Sequence, residues 1–187
     1  MASEDLKPAS LDFGVVIAFV APGFIAFLSA SYHLPAAGAW MAAASDKEQN
    51  VGVFLFVLLA SLSLGLVVSG VRALVLDRLL RSSILGRYAV PPLNLDWSRV
   101  DDKKLLVLLT IRDNHYRYYQ FYSNALVASV LWALTKALAG APTLRCIQWL
   151  LIAAVIVALL LSARDALLRY VTAVDQALKP QQGGHVE

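Results

Sequence analysis

The chain has 187 residues, of which 59% are hydrophobic and 16% are charged, and its formal net charge is +3. Soluble domains carry about 25% charged residues, so this composition argues against a separate water-soluble enzyme domain. The apolar residues are concentrated in runs of about twenty, the length that crosses a hydrocarbon core of about 30 Å. The sequence therefore predicts an all-α integral membrane protein with four transmembrane helices.

The first apolar run predicts a span over about residues 11–32, interrupted near its middle by Pro22 and Gly23. Proline lacks a backbone N–H and frees a carbonyl, and such breaks persist in membranes where neighbouring helices satisfy the freed group. A broken helix can also present carbonyls to an ion or act as a gate hinge. Pro22 and Gly23 are therefore candidates either for a structural kink or for part of a pore or gate.

The second span is predicted at about residues 51–72, after a loop over residues 33–50. Its helical pattern continues beyond the bilayer to a C-terminal stop at Gly86. Within the span, three small residues recur every four positions: Ser61, Gly65 and Ser69. Small residues at this spacing let helices approach closely. Three interpretations stay open for them, namely packing within one chain, packing between subunits, or a face that lines a narrow pore.

The third helix is predicted to begin at a capping box of Ser98 and Asp101 and to run unbroken to about Leu138. Its second half, residues 119–138, forms the third span. Polar side chains near the entry to this span should face the bundle interior or a water-filled path, and they are candidates for a pore entrance or gate: Gln120, Ser123 and Asn124.

The segment just before this span combines charged, imidazole and phenol side chains: Arg112, His115, Tyr116 and Arg117. Tyrosine and arginine at this position suit an interfacial belt. The same residues are candidates for a regulatory or partner contact, because they lie where the helix leaves the bilayer.

The fourth span is predicted at about residues 144–163, and its helix continues past the bilayer over residues 164–179. This extension and residues 73–118 would form a cytosolic helical layer, so residues 1–180 make a single membrane domain. Residues 181–187 are expected to be disordered.

The distribution of basic residues predicts the orientation of the four spans. Of the 16 Lys and Arg residues, Lys47, Lys136 and Arg145 fall on one side, and the other 13 fall on the terminal segments and the central connection. Positive residues favour the cytosol, which predicts cytosolic N- and C-termini. The asymmetry also explains the basic charge without a nucleic-acid motif.

The sequence contains no pattern that indicates a catalytic or metal centre. Its three histidines, His33, His115 and His185, are scattered, and no Cys, His and carboxylate spacing fits a metal site. Neither a nucleophile elbow nor a phosphate-binding glycine loop occurs. The chain is therefore predicted not to be an enzyme and to need no cofactor.

Four spans, helices extended into the cytosol and no catalytic centre resemble the small membrane components of bacterial anti-phage operons, of the Hailong effector channel or Kiwa membrane sensor type. The resemblance implies a homo-oligomer, with a tetramer favoured, in the bacterial inner membrane. For a protein of the effector type, the resemblance also implies that a cytosolic nucleotide or oligonucleotide signal, or a protein partner, controls its activity.

Two functions are weighed from these observations. The first is a homo-oligomeric ion channel or pore that depolarises the membrane when its cytosolic layer is released, as a defence effector. The alternative is a non-conducting membrane sensor or scaffold that recruits a cytosolic partner through residues 72–117.

Overall fold

The computed structural model describes residues 13–44, 51–82, 90–91, 101–138 and 146–178. These residues form α-helices and a single π turn, with no strand among them. The elements in chain order are α1 (Phe13–Ser31), α2 (Pro35–Ala44), α3 (Val51–Arg81), α4 (Asp102–Ile111), the π turn (Arg112–Tyr116), α5 (Arg117–Leu138) and α6 (Cys146–Leu178). The all-α prediction is confirmed for this part of the chain.

Three helical segments are long and apolar enough to cross a membrane, namely Val51–Arg81, Lys104–Leu138 and Cys146–Leu178, and α1 is a shorter apolar helix. Large apolar side chains on α3 and α6 point away from the bundle and are at least 60% exposed: Phe54, Leu59, Leu150 and Leu161. Apolar surface of this extent is stable against lipid and unfavourable in water. The chain is a helical membrane protein.

α1 lies between α3 and α5 and contacts both. It runs parallel to α5, because the Asn124 side chain bonds Ala18 and the Thr135 hydroxyl bonds Ser29, with the same offset in sequence. α6 packs against the other side of α5. The consequence is that α5 is the helix that connects α1 to α6.

The crossing of α1 and α3 brings the two backbones into direct contact. Gly23 on α1 faces the Ser61 carbonyl and the Gly65 nitrogen, while Gly65 faces the backbone of Phe19. The earlier residue of α1, Phe19, meets the later residue of α3, Gly65, so the two helices are antiparallel. Glycine is required at both positions, since any Cβ would occupy the space of the opposite backbone.

The loop predicted over residues 33–50 is wrong for residues 35–44, which form α2. Pro35 occupies the first helical position, where its missing N–H costs no hydrogen bond, and the residues that follow are rich in alanine. α2 packs its buried Ala37 against α3, and the Trp40 ring meets Phe56 edge-on at 4.3 Å between centroids. The second helix of the chain is thus a short element at the end of α1.

The third predicted helix begins later than expected and contains a π turn. Its N-cap is Asp101, whose carboxylate accepts a hydrogen bond from the Lys104 N–H at 2.7 Å. Ser98 lies outside the described residues. The π turn lies between α4 and α5, but the chain stays helical through it, so the prediction of one continuous helix to about Leu138 is confirmed over Lys104–Leu138. A π turn inserts an extra residue into the helical repeat and rotates the preceding side chains relative to the following ones.

α3 ends at Arg81, five residues before the predicted stop, and Gly86 lies outside the described residues. The Ser82 N–H and hydroxyl both donate to the Leu79 carbonyl, at 3.1 and 2.8 Å, and Val90 returns to bond the Leu80 carbonyl at 2.9 Å. α6 continues without interruption to Leu178, as predicted.

The C-terminal parts of α3 and α6 pack together with α4, the π turn and the start of α5. This layer is here called the extension layer (residues 73–81, 102–118 and 164–178). At 1.5 Å per residue, α3 is about 46 Å long and α6 about 50 Å, which exceeds a hydrocarbon core of about 30 Å. The largest buried cluster lies in this layer and just inside it, and it contains Leu76, Leu80, Val90, Tyr119, Leu126, Ala163, Ala166, Leu167 and Val171.

We expect Gly65→Ala to lower the free energy of unfolding in detergent by about 1–3 kcal/mol, the usual cost of an overpacked contact. The added Cβ would overlap the Phe19 carbonyl oxygen and lie 2.8 Å from its carbonyl carbon. The control is Gly70→Ala, because nothing lies within 4 Å of a Cβ at Gly70. There the higher helix propensity of alanine should leave stability equal or raised. Equal losses from both substitutions would contradict the backbone contact.

Candidate functional site

The small residues predicted as pore or gate candidates lie in the contact between α1 and α3. Pro22, Gly23, Ser61 and Gly65 are all buried within the chain, and Ser69 is half-buried. The Ser61 hydroxyl has no hydrogen-bond partner among the described residues. Packing within one chain, one of the three interpretations of this stripe, accounts for the burial of these four residues.

The proline in α1 is compensated by a side chain from α5. Pro22 has no N–H to offer the carbonyl of Ala18, four residues earlier. Asn124, which is fully buried, donates from Nδ2 to that carbonyl at 3.0 Å. Asn124 thus replaces the missing helical bond and ties α5 to α1, while its Oδ1 has no partner in the described part of the chain.

The two other polar candidates on α5 differ in exposure. Ser123 is fully buried, and its hydroxyl donates to the Tyr119 carbonyl and is 3.3 Å from the Gln120 carbonyl. Gln120 itself is half-buried. The structure therefore brings Asn124 together with Pro22, but it turns the Ser123 hydroxyl onto its own helix.

A buried ionic cluster, which the sequence did not reveal, joins α3 to α5 at the edge of the extension layer. Arg72 is 4% exposed, its Nε lies 3.9 Å from Asp77 Oδ1, and its guanidinium stands 5.3 Å from the centre of the Tyr119 ring. The Tyr119 hydroxyl donates to Asp77 Oδ1. The only sequence signal was that Arg72 is the first charge after the uncharged run of α3.

Two cavities flank Tyr118 where the π turn meets α5. One, of about 400 Å³, lies towards α6 and is lined by Asn114, His115, Tyr118, Tyr122, Asp165 and Arg169, among others. The other, of about 480 Å³, lies towards α1 and is lined by Ile17, Asp113, Asn114, Arg117, Tyr118, Phe121 and Tyr122. Asn114, Tyr118 and Tyr122 belong to both, so the two cavities adjoin.

The charges beside these cavities form local ion pairs. Asp113 is 3.3 Å from the Arg112 Nε and 3.3 Å from the Arg117 Nη2, so one carboxylate holds two guanidiniums. Arg169 pairs with Asp165 at 2.8 Å on α6. The Asp113 carboxylate and the Arg117 guanidinium therefore lie together at the wall of the cavity on the α1 side.

The four predicted regulatory candidates take two different roles in the packing. Arg112 and Arg117 meet at Asp113, and His115 lines the cavity on the α6 side. Tyr116 instead packs between the rings of Tyr119 and Tyr170, at 5.7 and 5.2 Å between centroids.

Tyr170 contacts the Tyr116 ring and lies near two cations of the extension layer, Arg112 and Arg81. Burial raises the pKa of the Tyr170 hydroxyl, and the neighbouring Tyr116 adds to the rise, while Arg112 and Arg81 act in the opposite direction. The hydroxyl therefore stays neutral at physiological pH and can act as a hydrogen-bonding group among these cations.

Among the described residues, no three His, Cys, Asp or Glu side chains lie close enough together to hold a metal ion. His33 is exposed at the end of the bundle opposite His115, and His185 lies outside the described residues. Comparison with protein-family models, curated proteins and solved structures finds no match to this chain.

We expect Asn124→Leu to lower stability in detergent by about 1–2 kcal/mol, because it removes the donor that satisfies the Ala18 carbonyl. Pro22→Ala returns a backbone N–H at residue 22. In a double-mutant cycle, Asn124→Leu should therefore cost less in the Pro22→Ala background than alone. Equal costs in both backgrounds would show that Asn124 does not compensate for the proline.

Tyr119→Phe should destabilise the protein by about 1–3 kcal/mol, because it leaves the part-buried Asp77 without its hydroxyl donor. The matched control is Tyr118→Phe on the adjacent position, where the ring is 60% exposed. Thermal unfolding in detergent, followed by circular dichroism, measures both. A smaller effect for Tyr119→Phe than for Tyr118→Phe would contradict the buried cluster.

Proposed function

We propose that the chain is a non-conducting membrane sensor or scaffold whose extension layer receives a cytosolic protein partner. The observation that carries this proposal is that the polar groups within the spans are buried. Asn124, Ser123, Ser61 and Gly65 are buried between helices of the same chain. The polar cavities lie instead beside the charged residues of the π turn and the start of α5, around Tyr118.

In this proposal all four apolar helices span the bacterial inner membrane, with both termini in the cytosol. Of the ten Lys and Arg residues in the described part of the chain, nine lie at the extension-layer end of the bundle and only Lys136 lies at the other. The antiparallel packing of α1 and α3 supports α1 as the first span. Positive charge on one side favours a cytosolic extension layer.

An exposed face on α3 supports a second function, the homo-oligomeric ion channel of a defence effector. Ser63 and Gly70 lie seven residues apart and face away from the rest of the chain. In a tetramer, these faces could pack around a central axis and form a path between protomers. Depolarisation would then follow when a nucleotide or protein signal acts on the extension layer.

Site-specific photo-crosslinking in living cells tests the sensor or scaffold proposal. A benzoylphenylalanine at position 118 should crosslink one soluble protein, because Tyr118 is exposed between the two cavities. The control position is Tyr32, which is 49% exposed at the opposite end of the bundle. The same adduct from both positions, or none from position 118, would contradict the proposal.

Planar-bilayer recording of the purified full-length protein separates the two functions. The sensor or scaffold should give no current at any applied voltage, while its mass in detergent reports the oligomer. Discrete single-channel currents from a homo-oligomer would overturn the non-conducting proposal and favour the channel.

A further inference from the structure

We infer that α4 has two registers against α6, and that the π turn is the element through which it changes from one to the other. In the second register residues 112–116 become α-helical, and α4 turns by one residue while α5 stays in place. The inference goes beyond the proposed function, because it depends on the packing of α4 and not on a partner or a conducted ion.

The junction between α4 and α5 sets the size of the change. The Arg112 N–H is shared between the carbonyls of Leu108 and Leu109, and the π turn extends from there to Tyr116. A π turn holds one residue more than an α turn. When this extra residue moves to the start of α4, each α4 residue takes the place of the residue before it. The helix thereby rotates by about 100° and shifts by about 1.5 Å along its axis.

In the observed register, a shallow contact holds α4 on α6. The two helices touch, and the half-buried side chains of α4 are Lys104, Leu108 and Ile111. Their spacing of i, i+4 and i+7 places them on one face of the helix. None of the three is fully buried, so little packing has to be broken before α4 can turn.

In the second register, the positions that face α6 receive a set of the same composition. Each position passes to the next residue along the chain, so the set becomes Leu105, Leu109 and Arg112. Two apolar residues and one cation face α6 in either register, which makes the two registers close in free energy. Leu105 and Leu109 are 42% and 38% exposed in the observed register, and their burial in the second compensates for the exposure of Leu108.

The change of register also alters the cavities beside Tyr118. Asn114 lines both cavities, and His115 lines the one on the α6 side. Both residues belong to the π turn, so they move when the extra residue leaves it. A ligand or protein that binds in either cavity therefore favours one register, and the rotation of α4 transmits that binding along the extension layer.

Electron–electron double resonance between two spin labels tests the inference. The labels are attached to Val107→Cys on α4 and Thr172→Cys on α6, both exposed positions. The full-length protein carries Cys146→Ser, because Cys146 is its single cysteine. A rotation of 100° moves a side-chain tip at a radius of about 5 Å by about 8 Å. We expect two distances between the labels, one for each register.

A deletion and a substitution assign the two distances. Deletion of Asn114 removes the extra residue and keeps α4 in the observed register as part of a continuous α-helix, so it should leave one distance. Arg112→Leu should raise the ratio of the second register to the first about fivefold, because it places a leucine on α6 where the second register has a cation.

Two glutamine substitutions form a matched pair. Leu105 faces α6 only in the second register, so Leu105→Gln should lower the population of that register about fivefold. Leu106 is 66% exposed and moves to the exposed place of Leu105, so Leu106→Gln should leave the populations within about twofold. Glutamine and leucine have similar helix propensities, which removes a difference in helix formation from the comparison.

Two results would overturn the inference. The first is a single distance, equal to that of the Asn114 deletion, in both the labelled parent and its Arg112→Leu variant. The second is an equal effect of Leu105→Gln and Leu106→Gln, because α4 would then move without a defined register. This second comparison remains decisive even if the deletion variant does not fold.

Discussion

The backbone contact between α1 and α3 is the constraint on which the rest of the bundle depends. In lipid there is no hydrophobic drive to bring helices together, so association depends on close packing and on hydrogen bonds that the bilayer cannot replace. Gly23 and Gly65 let the two backbones touch. The Ala18 carbonyl, which Pro22 leaves without its helical N–H, would be costly there without a donor, and Asn124 supplies that donor from α5. The backbone contact between α1 and α3, together with the Asn124 hydrogen bond to α1, thus determines how α1, α3 and α5 pack.

In the extension layer the chain uses a different kind of packing. The ends of α3, α5 and α6 meet around leucines and tyrosines, much as in a soluble helical bundle. The cluster of Arg72, Asp77 and Tyr119 lies where the apolar part of the bundle meets the extension layer. A buried ion pair is a poor source of net stability, because removing charges from water costs several kcal/mol each. Its geometric consequence is clearer, since it ties α3 to α5 immediately beside the π turn.

The two regimes explain why the candidate functional surface lies at the boundary rather than inside the spans. Polar groups inside the bundle are used to hold helices together, as Asn124 and Ser123 show. Polar groups at the π turn line cavities instead, since Asn114 and His115 both face the cavity on the α6 side. A binding function at this place is compatible with a sensor, a scaffold or the regulated layer of a channel.

The sequence by itself determined the features that follow from composition and periodicity. Apolar runs of span length specify membrane helices, and the uninterrupted pattern of α6 specifies a helix longer than the bilayer. The spacing of Gly65 indicated close packing, and Pro22 required an outside donor.

Only the tertiary structure decided the partners of these residues. The donor that replaces the N–H missing at Pro22 is Asn124, which lies more than one hundred residues away on α5. Nothing in the local sequence specifies that pairing. The π turn and the burial of Arg72 were equally hidden, because each depends on which helix packs alongside rather than on the residues of the segment itself. α2 was missed for a different reason, since the glycine and proline of residues 33–50 resemble a loop while the alanines favour a helix.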